Sequence, residues 1–370
     1  MPFRFELLQT EKKARRGRFH TAHGVVETPV FMAVGTQATV KGLTPDQLDA
    51  AGVQMLLGNT YHLTLRPGDE VIAQLGGLHR FMGWRRPILT DSGGFQIYSL
   101  AANLKIDDHA AVFRSHLDGD LLELTPEKAI RIQENLGSDI AMCLDECPPF
   151  DTPAEYRAVA VNRTLLWAER CQAAHRAADQ ALFAIVQGGT DIALRTRCAE
   201  ALAKLNFPGY ALGGFSVGET PQQMAAALEP SADALPADKP RYLMGVGKPL
   251  DLLLAVARGI DMFDCVMPTR NGRNATAFTG TGQVKLRNAC HKRDSGPLES
   301  DCPCPTCTQF SRAYLHHLFL AEEMLGPTLV SLHNLAFYNR LMADIRRAIE
   351  EQRFGQFYAD RLARWGGEFL

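Results

Sequence analysis

The 370-residue chain lacks any uninterrupted apolar run long enough to span a membrane. Its first residues, MPFRFELLQTEKKARRGR, contain neither an apolar core region nor a small-residue cleavage site, which argues against a signal peptide. The formal net charge is only −2, so an overall basic field that would attract nucleic acid is also missing. We therefore expect a cytoplasmic protein, in which any nucleic-acid contact comes from a local basic patch.

The cysteine pattern of a secreted disulfide scaffold is absent as well. Nine cysteines, an odd number, occur in a long chain with no export signal, so structural disulfides are not expected. Five lie in apolar or helical contexts that are typical of small core residues; they are Cys143, Cys147, Cys171, Cys198 and Cys265. Three others form a separate cluster, described below.

Short apolar runs that end in polar residues or glycine alternate along the chain with helical patterns. The runs cover residues 28–36, 55–62, 87–95, 139–146, 181–189, 209–218, 241–247 and 262–268. Such an alternation indicates a covered parallel sheet, and eight strands are typical of a (β/α)8 TIM barrel. A doubly wound sheet is the alternative, but no G-x-G-x-x-G follows the first run. We predict one α/β barrel domain over 1–370, which begins with a hairpin that turns at Lys12–Arg18.

Polar residues lie where the predicted strands end. In a TIM barrel the carboxyl ends of the strands form one rim, and this rim holds the active site. The residues predicted there are Asn59, Asp91, Asp145, Gln187, Gly213, Gly214, Gly245 and Asp264. Asp264 interrupts the apolar run Met262–Met267, and a buried carboxylate is costly unless it is paired or used. We interpret Asp264 as a nucleophile, and the basic loop with Arg270 and Arg273 as the support for a nucleic-acid strand over it.

The other rim residues suggest acid–base chemistry and recognition of a purine. Asp91, Asp145 and Asp264 are predicted to be neighbours, and like charges close together raise the pKa of at least one carboxyl group, as a general acid/base requires. Alternatively, Asp91 could cap the turn in TDSGGFQ. Asp145 and Gln187 offer acceptors and donors that suit a purine edge, and the amide of Gly214 is open to a planar ligand. Taken alone, Gln187 could be a loop cap and the glycines a strand-end turn.

Three large apolar side chains near the rim have two interpretations. Phe95, Phe215 and Met244 could sandwich a base, or they could belong to the core of the barrel. The residues alone leave both interpretations open.

A cluster of three thiols near the C-terminal end predicts a metal site. Cys302, Cys304 and Cys307 form C-x-C-x2-C, a spacing typical of zinc ligands. The candidates for the fourth ligand are His316, His317 and His333. We prefer His333, which the pattern places at the start of a later helix. A closed set of three cysteines and one histidine leaves no open position, so the zinc is expected to be structural.

A basic segment separates the seventh predicted strand from the cysteine cluster. Its residues are Lys248, Arg270, Arg273, Lys285, Arg287, Lys292 and Arg293. Such side chains can bind phosphates and stack on unpaired bases. A solvated surface is the alternative, and it is our interpretation of Lys292 and Arg293.

These motifs together resemble the bacterial queuine/preQ1 tRNA-guanine transglycosylases over essentially the whole chain. The matching stretches, in one order, are GNTYHL (58–63), RPILTDSGGFQ (86–96), HLDG (116–119), GSDIAMCLDEC (137–147), YLMGVGKP (242–249), GIDMFDCVMPTR (259–270), CPCPTC (302–307) and SRAYLHH (311–317). The resemblance implies a (β/α)8 barrel with an inserted zinc-binding subdomain, predicted at 286–340, and one structural Zn²⁺ per subunit. It also implies a homodimer, in which one subunit catalyses while the other helps to seat the tRNA.

The resemblance further implies an activity in queuosine biosynthesis. The wobble guanine at anticodon position 34 of the tRNAs for Asp, Asn, His and Tyr would be exchanged for 7-aminomethyl-7-deazaguanine (preQ1). Asp264 would be the nucleophile and Asp91 the general acid/base. The residues implied to surround the base are Asp145, Gln187, Gly214, Ser92, Phe95, Phe215, Met244, Asn59 and Cys147. Those implied to contact the tRNA are Lys248, Arg270, Arg273 and Arg287.

Two competing functions follow from the same residues. A catalytically silent homologue that binds tRNA would be marked by loss of the acids, but both Asp91 and Asp264 are present. A carbohydrate-active barrel would also use paired acids. The cysteine cluster and the arginine loop next to a base-reading set disfavour this last interpretation.

Overall fold

The computed structural model describes residues 3–100 and 102–365, and its first element is a small antiparallel sheet. The strands are β1 (Arg4–Glu11), β2 (Ala14–Thr21) and β3 (Gly24–Thr28). The predicted hairpin is confirmed by the antiparallel pairing of β1 with β2, but its turn is only Lys12–Lys13 instead of Lys12–Arg18, and a third strand, β3, extends the sheet. The basic run forms strand β2 because its side chains alternate, and Arg15 points inward to a buried ion pair with Asp261 at 3.1 Å.

The central element is a closed barrel of eight parallel strands. The remaining strands are β4 (Val30–Val34), β5 (Leu56–Gly58), β6 (Ile88–Thr90), β7 (Ala102–Ile106), β8 (Ala111–Arg114), β9 (Leu121–Leu124), β10 (Ile140–Met142), β11 (Ala181–Val186), β12 (Gly209–Leu212), β13 (Arg241–Leu243), β14 (Met262–Asp264), β15 (Thr276–Thr279) and β16 (Gly282–Lys285). Strands β4, β5, β6 and β10 to β14 form the barrel, one from each predicted run, and β14 pairs with β4 to close it. The fold prediction is confirmed.

Fifteen α-helices lie within the described residues. They are α1 (Pro45–Ala50), α2 (Thr60–Leu65), α3 (Asp69–Gln74), α4 (Gly77–Met82), α5 (Gly94–Leu100), α6 (Pro126–Leu136), α7 (Ala154–Ala174), α8 (Ile192–Lys204), α9 (Pro221–Asp233), α10 (Pro249–Val256), α11 (Met267–Arg273), α12 (Pro305–Gln309), α13 (Arg312–Leu320), α14 (Leu325–Glu350) and α15 (Phe354–Trp365). A short 3₁₀ helix covers Ala289–Arg293. Thr44 and Thr220 are the N-cap residues of α1 and α9, and both form capping boxes. Within residues 3–100 and 102–365, none of the helices could span a membrane.

The strand residues divide into two cores according to the face on which they lie. Along β4, Val30 and Met32 pack inside the barrel, whereas Phe31 and Ala33 pack outward against the helices. This alternation buries both faces, which is why the strands read as continuous apolar runs. Phe19 and other apolar residues of the first sheet join the interior core and close the amino-terminal end of the barrel. Ligands must therefore approach the opposite rim.

Two helices, one after β14 and one that carries His333, differ from their predictions. The basic loop predicted to contain Arg270 and Arg273 is instead helix α11. This helix packs so closely on α14 that a Cβ at Gly272 would lie 2.7 Å from the Ser331 nitrogen. His333 is not at a helix start, because α14 begins at Leu325 and continues past residue 340. Pro327 lies in the first turn of α14, where a proline is tolerated, so the helix extends further upstream than predicted.

A buried carboxylate fastens the first sheet to the amino-terminal end of the barrel. Asp139, just before β10, accepts hydrogen bonds from the His23 ring at 2.9 Å and the Ile88 amide at 2.8 Å, and its Oδ2 lies 3.1 Å from His79 Nε2. The two imidazoles stack with their centres 3.5 Å apart. These contacts outweigh the effect of burial, and they lower the pKa of Asp139 to about 2.

We expect Asp139→Asn to lower the free energy of unfolding by about 2 kcal/mol at neutral pH, from the depressed pKa. Because the folded-state pKa is lowered, this contribution is present above the usual aspartate pKa and is lost as the pH falls towards 2. Denaturant unfolding between pH 2 and 7 measures it. The exposed Asp151→Asn is the control, and an equal loss in both variants would contradict the assignment.

Candidate active site

Asp264 is the last residue of β14 and lies at the carboxyl-terminal rim of the barrel. Its Oδ1 accepts hydrogen bonds from the Tyr242 hydroxyl at 2.5 Å and from the Gly245 amide at 2.8 Å. Burial raises the pKa of Asp264, and these two donors oppose the increase. Among the described residues, none donates to Oδ2. One oxygen thus holds the carboxylate in place while the other stays available for a reacting atom.

Asp91 follows β6 at the same rim and is almost completely buried. Its carboxylate accepts hydrogen bonds from the Asn59 side chain and from the Thr60 amide, the latter at 2.8 Å. Burial is the largest influence and raises the pKa of Asp91 to about 6, with a further increase from the charge of Asp264. A carboxyl group with this pKa can both give and take a proton near neutral pH.

Asp145 forms a third carboxylate site with two side-chain donors. Ser92 Oγ donates to Oδ1 at 3.0 Å, and Gln187 Nε2 donates to Oδ2 at 2.7 Å. Burial raises the pKa of Asp145 to about 6. Gln187 Oε1 is buried and has no partner within the described residues. Since buried acceptors are nearly always satisfied, this oxygen is suited to a donor on a bound ligand.

The glycine pair after β12 lies directly against the Gln187 amide. A Cβ at Gly213 would be 2.7 Å from Nε2, and one at Gly214 would be 2.5 Å from Oε1. Gly214 also has φ 69°, which favours glycine. The Gly214 amide and the Gln187 side chain both face the thiol of Cys147, whose pKa burial raises to about 12. The base-reading residues predicted from the sequence are thus brought together.

The three predicted apolar contacts do not share one environment. Phe95 is 47% exposed on α5, and Met244 is half-buried against the interior core. The Phe215 ring instead lies in the outer core, 4.0 Å from the guanidinium carbon of Arg195. The core interpretation therefore applies to the Phe215 ring. The alternative in which all three side chains sandwich a base does not agree with this position of the ring. The ring turns outward because the buried cation provides a partner for its face.

The predicted tRNA contacts spread from the rim towards the cysteine cluster. Lys248 directly precedes α10, and Arg270 is exposed on α11. Arg273, at the end of α11, donates from Nε to the Thr269 carbonyl at 3.2 Å. Arg287 donates to the Phe319 carbonyl at 3.1 Å, so it is partly used inside the chain.

The cysteine cluster has the geometry of a metal site. The Sγ atoms of Cys302, Cys304 and Cys307 and a nitrogen of His333 lie within 4.8 Å of one another, and all four residues are buried. His333 Nδ1 is 3.2 to 3.7 Å from the three sulfurs. Zinc bonds of about 2.0–2.3 Å in a tetrahedron separate the ligands by roughly 3.5–3.8 Å, so this donor set fits zinc.

The second nitrogen of His333 explains why it is the fourth member. Nε2 lies 2.7 Å from the Phe278 carbonyl oxygen, so it carries the hydrogen and leaves Nδ1 free for a metal. His316 Nδ1 instead lies 2.6 Å from the Leu286 carbonyl. The choice of His333 from the sequence therefore agrees with the cluster.

Some residues of the site were missed in the sequence. Tyr242 is an inward-facing tyrosine on a strand of the barrel interior, and a buried hydroxyl needs a partner. An inward-facing tyrosine therefore signals a polar partner in the barrel. The sequence does not identify that partner as Asp264, because this depends on the register of β13 and β14. Thr60 donates its backbone amide to the Asp91 carboxylate and its hydroxyl to the Asp91 carbonyl, and neither contact follows from a sequence pattern.

Comparisons with known proteins match nearly the whole chain to one family. A family model described as queuine tRNA-ribosyltransferase covers residues 10–367. Proteins with that name are 53% identical in Novosphingobium aromaticivorans, over 97% of both chains, and 52% identical in Herpetosiphon aurantiacus, over 98% of this chain and 93% of the relative. The protein of that name from Thermus thermophilus is 53% identical, over 96% and 92%.

Proposed function

The chain belongs to the queuine tRNA-ribosyltransferase family, and from this premise we propose that it exchanges guanine 34 for preQ1 in tRNAs with GUN anticodons. These tRNAs are the ones for Asp, Asn, His and Tyr. Membership confirms the resemblance noted in the sequence and makes the protein a pentosyltransferase. The observation that carries the proposal is the set of three hydrogen-bonded carboxylates, Asp91, Asp145 and Asp264, that meet at one rim of the barrel.

In the first displacement, Asp264 Oδ2 bonds to the anomeric carbon of nucleotide 34 as the N-glycosidic bond breaks. Its charge stabilises the oxocarbenium-like transition state, and the product is a covalent Asp264–tRNA ester. Asp91 donates its proton to the ring nitrogen of the departing guanine. Tyr242 and Gly245 hold the attacking carboxylate and favour its ionised form.

In the second displacement, the ring nitrogen of preQ1 bonds to the anomeric carbon and the ester bond to Asp264 breaks. Asp91, now a carboxylate, takes the proton from preQ1 and returns to its starting form. Two inversions retain the configuration of the sugar. The nucleotide must first be turned out of its loop, which costs little in an unpaired anticodon.

Base recognition falls to Asp145, Gln187 and the Gly214 amide. The carboxylate of Asp145 accepts from the two neighbouring N–H donors of guanine or preQ1, and the Gly214 amide donates to the ring carbonyl. The shared face of the two bases explains how one site can release one and accept the other. Ser92 orients Asp145, Asn59 orients Asp91, and Phe95, Met244 and Cys147 border the base.

The exchange is tested with purified protein, radiolabelled guanine and a tRNA with a GUN anticodon. We expect label in the tRNA and its release when unlabelled preQ1 is added. The same tRNA with adenosine at position 34 is the control and should stay unlabelled. Binding of tRNA without any incorporation would favour the catalytically silent homologue instead.

We also propose one structural Zn²⁺ per subunit, held by Cys302, Cys304, Cys307 and His333 in a zinc-binding subdomain at about 286–340. A bound zinc would join α12 to α14, on which α11 packs with Arg270 and Arg273. The metal would thereby fix the surface that these arginines offer to tRNA phosphates, with Lys248 nearer the rim. We further propose a cytoplasmic homodimer, as the family resemblance implies.

Cys304→Ser is expected to reduce the zinc content to near zero and to lower the unfolding temperature. Serine is a poor zinc ligand, so the variant is expected to lose the ion. The two remaining thiols and the imidazole would then be buried without the zinc ion that holds them together. Metal analysis after dialysis and thermal unfolding measure both effects. The control is Cys290→Ser, because Cys290 is exposed and outside the cluster; stoichiometric zinc in Cys304→Ser would show that the ligand set is wrong.

A further inference from the structure

Arg195, in α8, is a buried cation behind the loops that carry Gln187 and Gly214. It is 0% exposed, and within the described residues no carboxylate forms an ion pair with it. Burial lowers its pKa to about 10, so the guanidinium remains charged at neutral pH. Holding such a charge in the interior without an acid costs free energy, which makes its actual contacts informative.

Those contacts join two loops of the rim. Nη1 donates to the Gly189 carbonyl at 3.1 Å, in the loop after β11, and to the Gly213 carbonyl at 3.0 Å, in the loop after β12. Nε donates to Ser231 Oγ on α9 at 2.8 Å. The Phe215 ring covers the guanidinium at 4.0 Å. One side chain therefore fixes the relative position of both loops.

The bond to Gly213 has a direct consequence for Gly214. The Gly213 carbonyl and the Gly214 N–H belong to one planar peptide unit, so a donor that fixes the oxygen also fixes the direction of the N–H. A charged donor makes the stronger bond, and linked hydrogen bonds strengthen one another by roughly 10–30%. The Gly214 amide thus becomes a better-aimed and more polarised donor.

The neighbouring loop is packed against the same side chain. A Cβ at Gly188 would lie only 2.8 Å from Arg195 Cγ, so the backbone next to Gln187 rests on the arginine stem. The Gln187 amide in turn lies against the peptide of Gly213 and Gly214. The two predicted base-reading groups and Arg195 form one continuous set of contacts.

We propose that Arg195 is a positioning residue for base recognition, which aims and polarises the Gly214 amide and holds the Gln187 loop without touching the base. The inference rests on the proposed function, because it assigns these groups to the purine. It explains why an unpaired charge is kept in the core at this place: the cation serves two backbone carbonyls of the site.

The test compares Arg195→Met and Arg195→Lys with a matched control, Arg241→Met. Arg241 is also buried, and it donates to the backbone carbonyl of Leu235 at 3.0 Å. Burial lowers its pKa to about 10, as for Arg195, but Arg241 lies at the opposite end of the barrel. Arg195→Met is expected to raise KM for guanine about tenfold or more, the loss typical of a charged hydrogen bond. Its KM for tRNA should stay within about threefold of wild type, and Arg195→Lys should recover most of the guanine affinity.

Arg241→Met is expected to lower the unfolding temperature without changing KM for guanine. An unchanged KM in Arg195→Met, or an equal increase in both methionine variants, would overturn the proposal. If Arg195→Met does not fold, Arg195→Lys carries the test, because lysine lacks the Nε donor to Ser231 that holds the guanidinium in place and should give a smaller but measurable increase in KM for guanine.

A second measurement separates this inference from the proposed function. Amide hydrogen exchange over residues 205–220 needs no turnover, and we expect faster exchange at 213–215 in Arg195→Met but not in Arg241→Met. Absence of guanine exchange by the wild type would refute the proposed function alone. Unchanged amide protection at 213–215 in Arg195→Met would refute the positioning role alone.

Discussion

Asparagine in place of Asp264 is expected to abolish both the incorporation of labelled guanine into tRNA and the denaturation-resistant protein–tRNA adduct. An amide oxygen is a much weaker nucleophile than a carboxylate, and it brings no charge to an oxocarbenium-like sugar. The loss should be on the order of 10⁴-fold or more, as for other covalent nucleophiles. Because asparagine can still accept hydrogen bonds from Tyr242 and Gly245, the fold and tRNA binding should survive.

Asp261→Asn provides the matched control for this experiment. Asp261 immediately precedes β14 at its other end, is completely buried, and accepts hydrogen bonds from the Arg15 side chain and the Arg241 amide. That variant should be less stable than wild type, yet it should form the adduct with its folded fraction. Denaturing gel electrophoresis with labelled tRNA measures the adduct. Retention of both exchange and adduct by Asp264→Asn would rule out its role as the nucleophile.

The barrel could be predicted from the sequence because a parallel strand buried on both faces leaves a continuous apolar run. The run around β4 is an example: Val30 and Met32 face the interior, while Phe31 and Ala33 face the helices. Acids at the ends of such runs are conspicuous, and the shared rim follows from the topology. The cysteine spacing was equally informative, because neighbouring cysteine ligands of zinc are typically only a few residues apart.

Other elements depend on tertiary contacts that leave no periodic signal. Strands β7, β8 and β9 form a separate sheet that was not predicted, because residues such as Leu121 are exposed and the segments are only four or five residues long. Helix α11 contains Gly272 and was predicted as a loop, but its glycine is required by the close approach to Ser331. Packing here overrides intrinsic helix propensity.

The site was predictable in its charged residues and less so in what holds them. Asp145 and Gln187 were paired from their positions alone, and they do form a hydrogen bond. Arg195 was not singled out, because an arginine in a helix is ordinarily a surface residue. Its role depends on which carbonyls its five donors reach, and that is a property of the folded loops. Phe215 was placed beside the base by the family resemblance, since the residues alone left the core and base-sandwich interpretations open, and the orientation of its ring depends on a contact with Arg195 that the sequence does not show.

The second large effect is expected from Asp91→Asn, which should lower the rate of guanine release by about 10²- to 10⁴-fold with tRNA binding preserved. Without a proton from residue 91, guanine would have to depart as an anion, which is a poorer leaving group. Asparagine keeps the size of the side chain and can still accept from the Thr60 amide. Single-turnover release of labelled guanine from pre-labelled tRNA measures the step directly, and a rate near that of wild type would contradict the acid/base assignment.

The pH profile gives an independent test of Asp91 through its neighbour. The Asn59 side chain donates to the ionised carboxylate and thereby lowers the pKa of Asp91, which burial otherwise raises. Asn59→Ala removes this donor, so the pKa of Asp91 should rise further above about 6. The limb of the kcat/KM profile set by Asp91 should then move to higher pH, and it should be missing in Asp91→Asn. Because a purely structural role for Asn59 would lower activity equally at every pH, only a displaced limb supports proton transfer by Asp91.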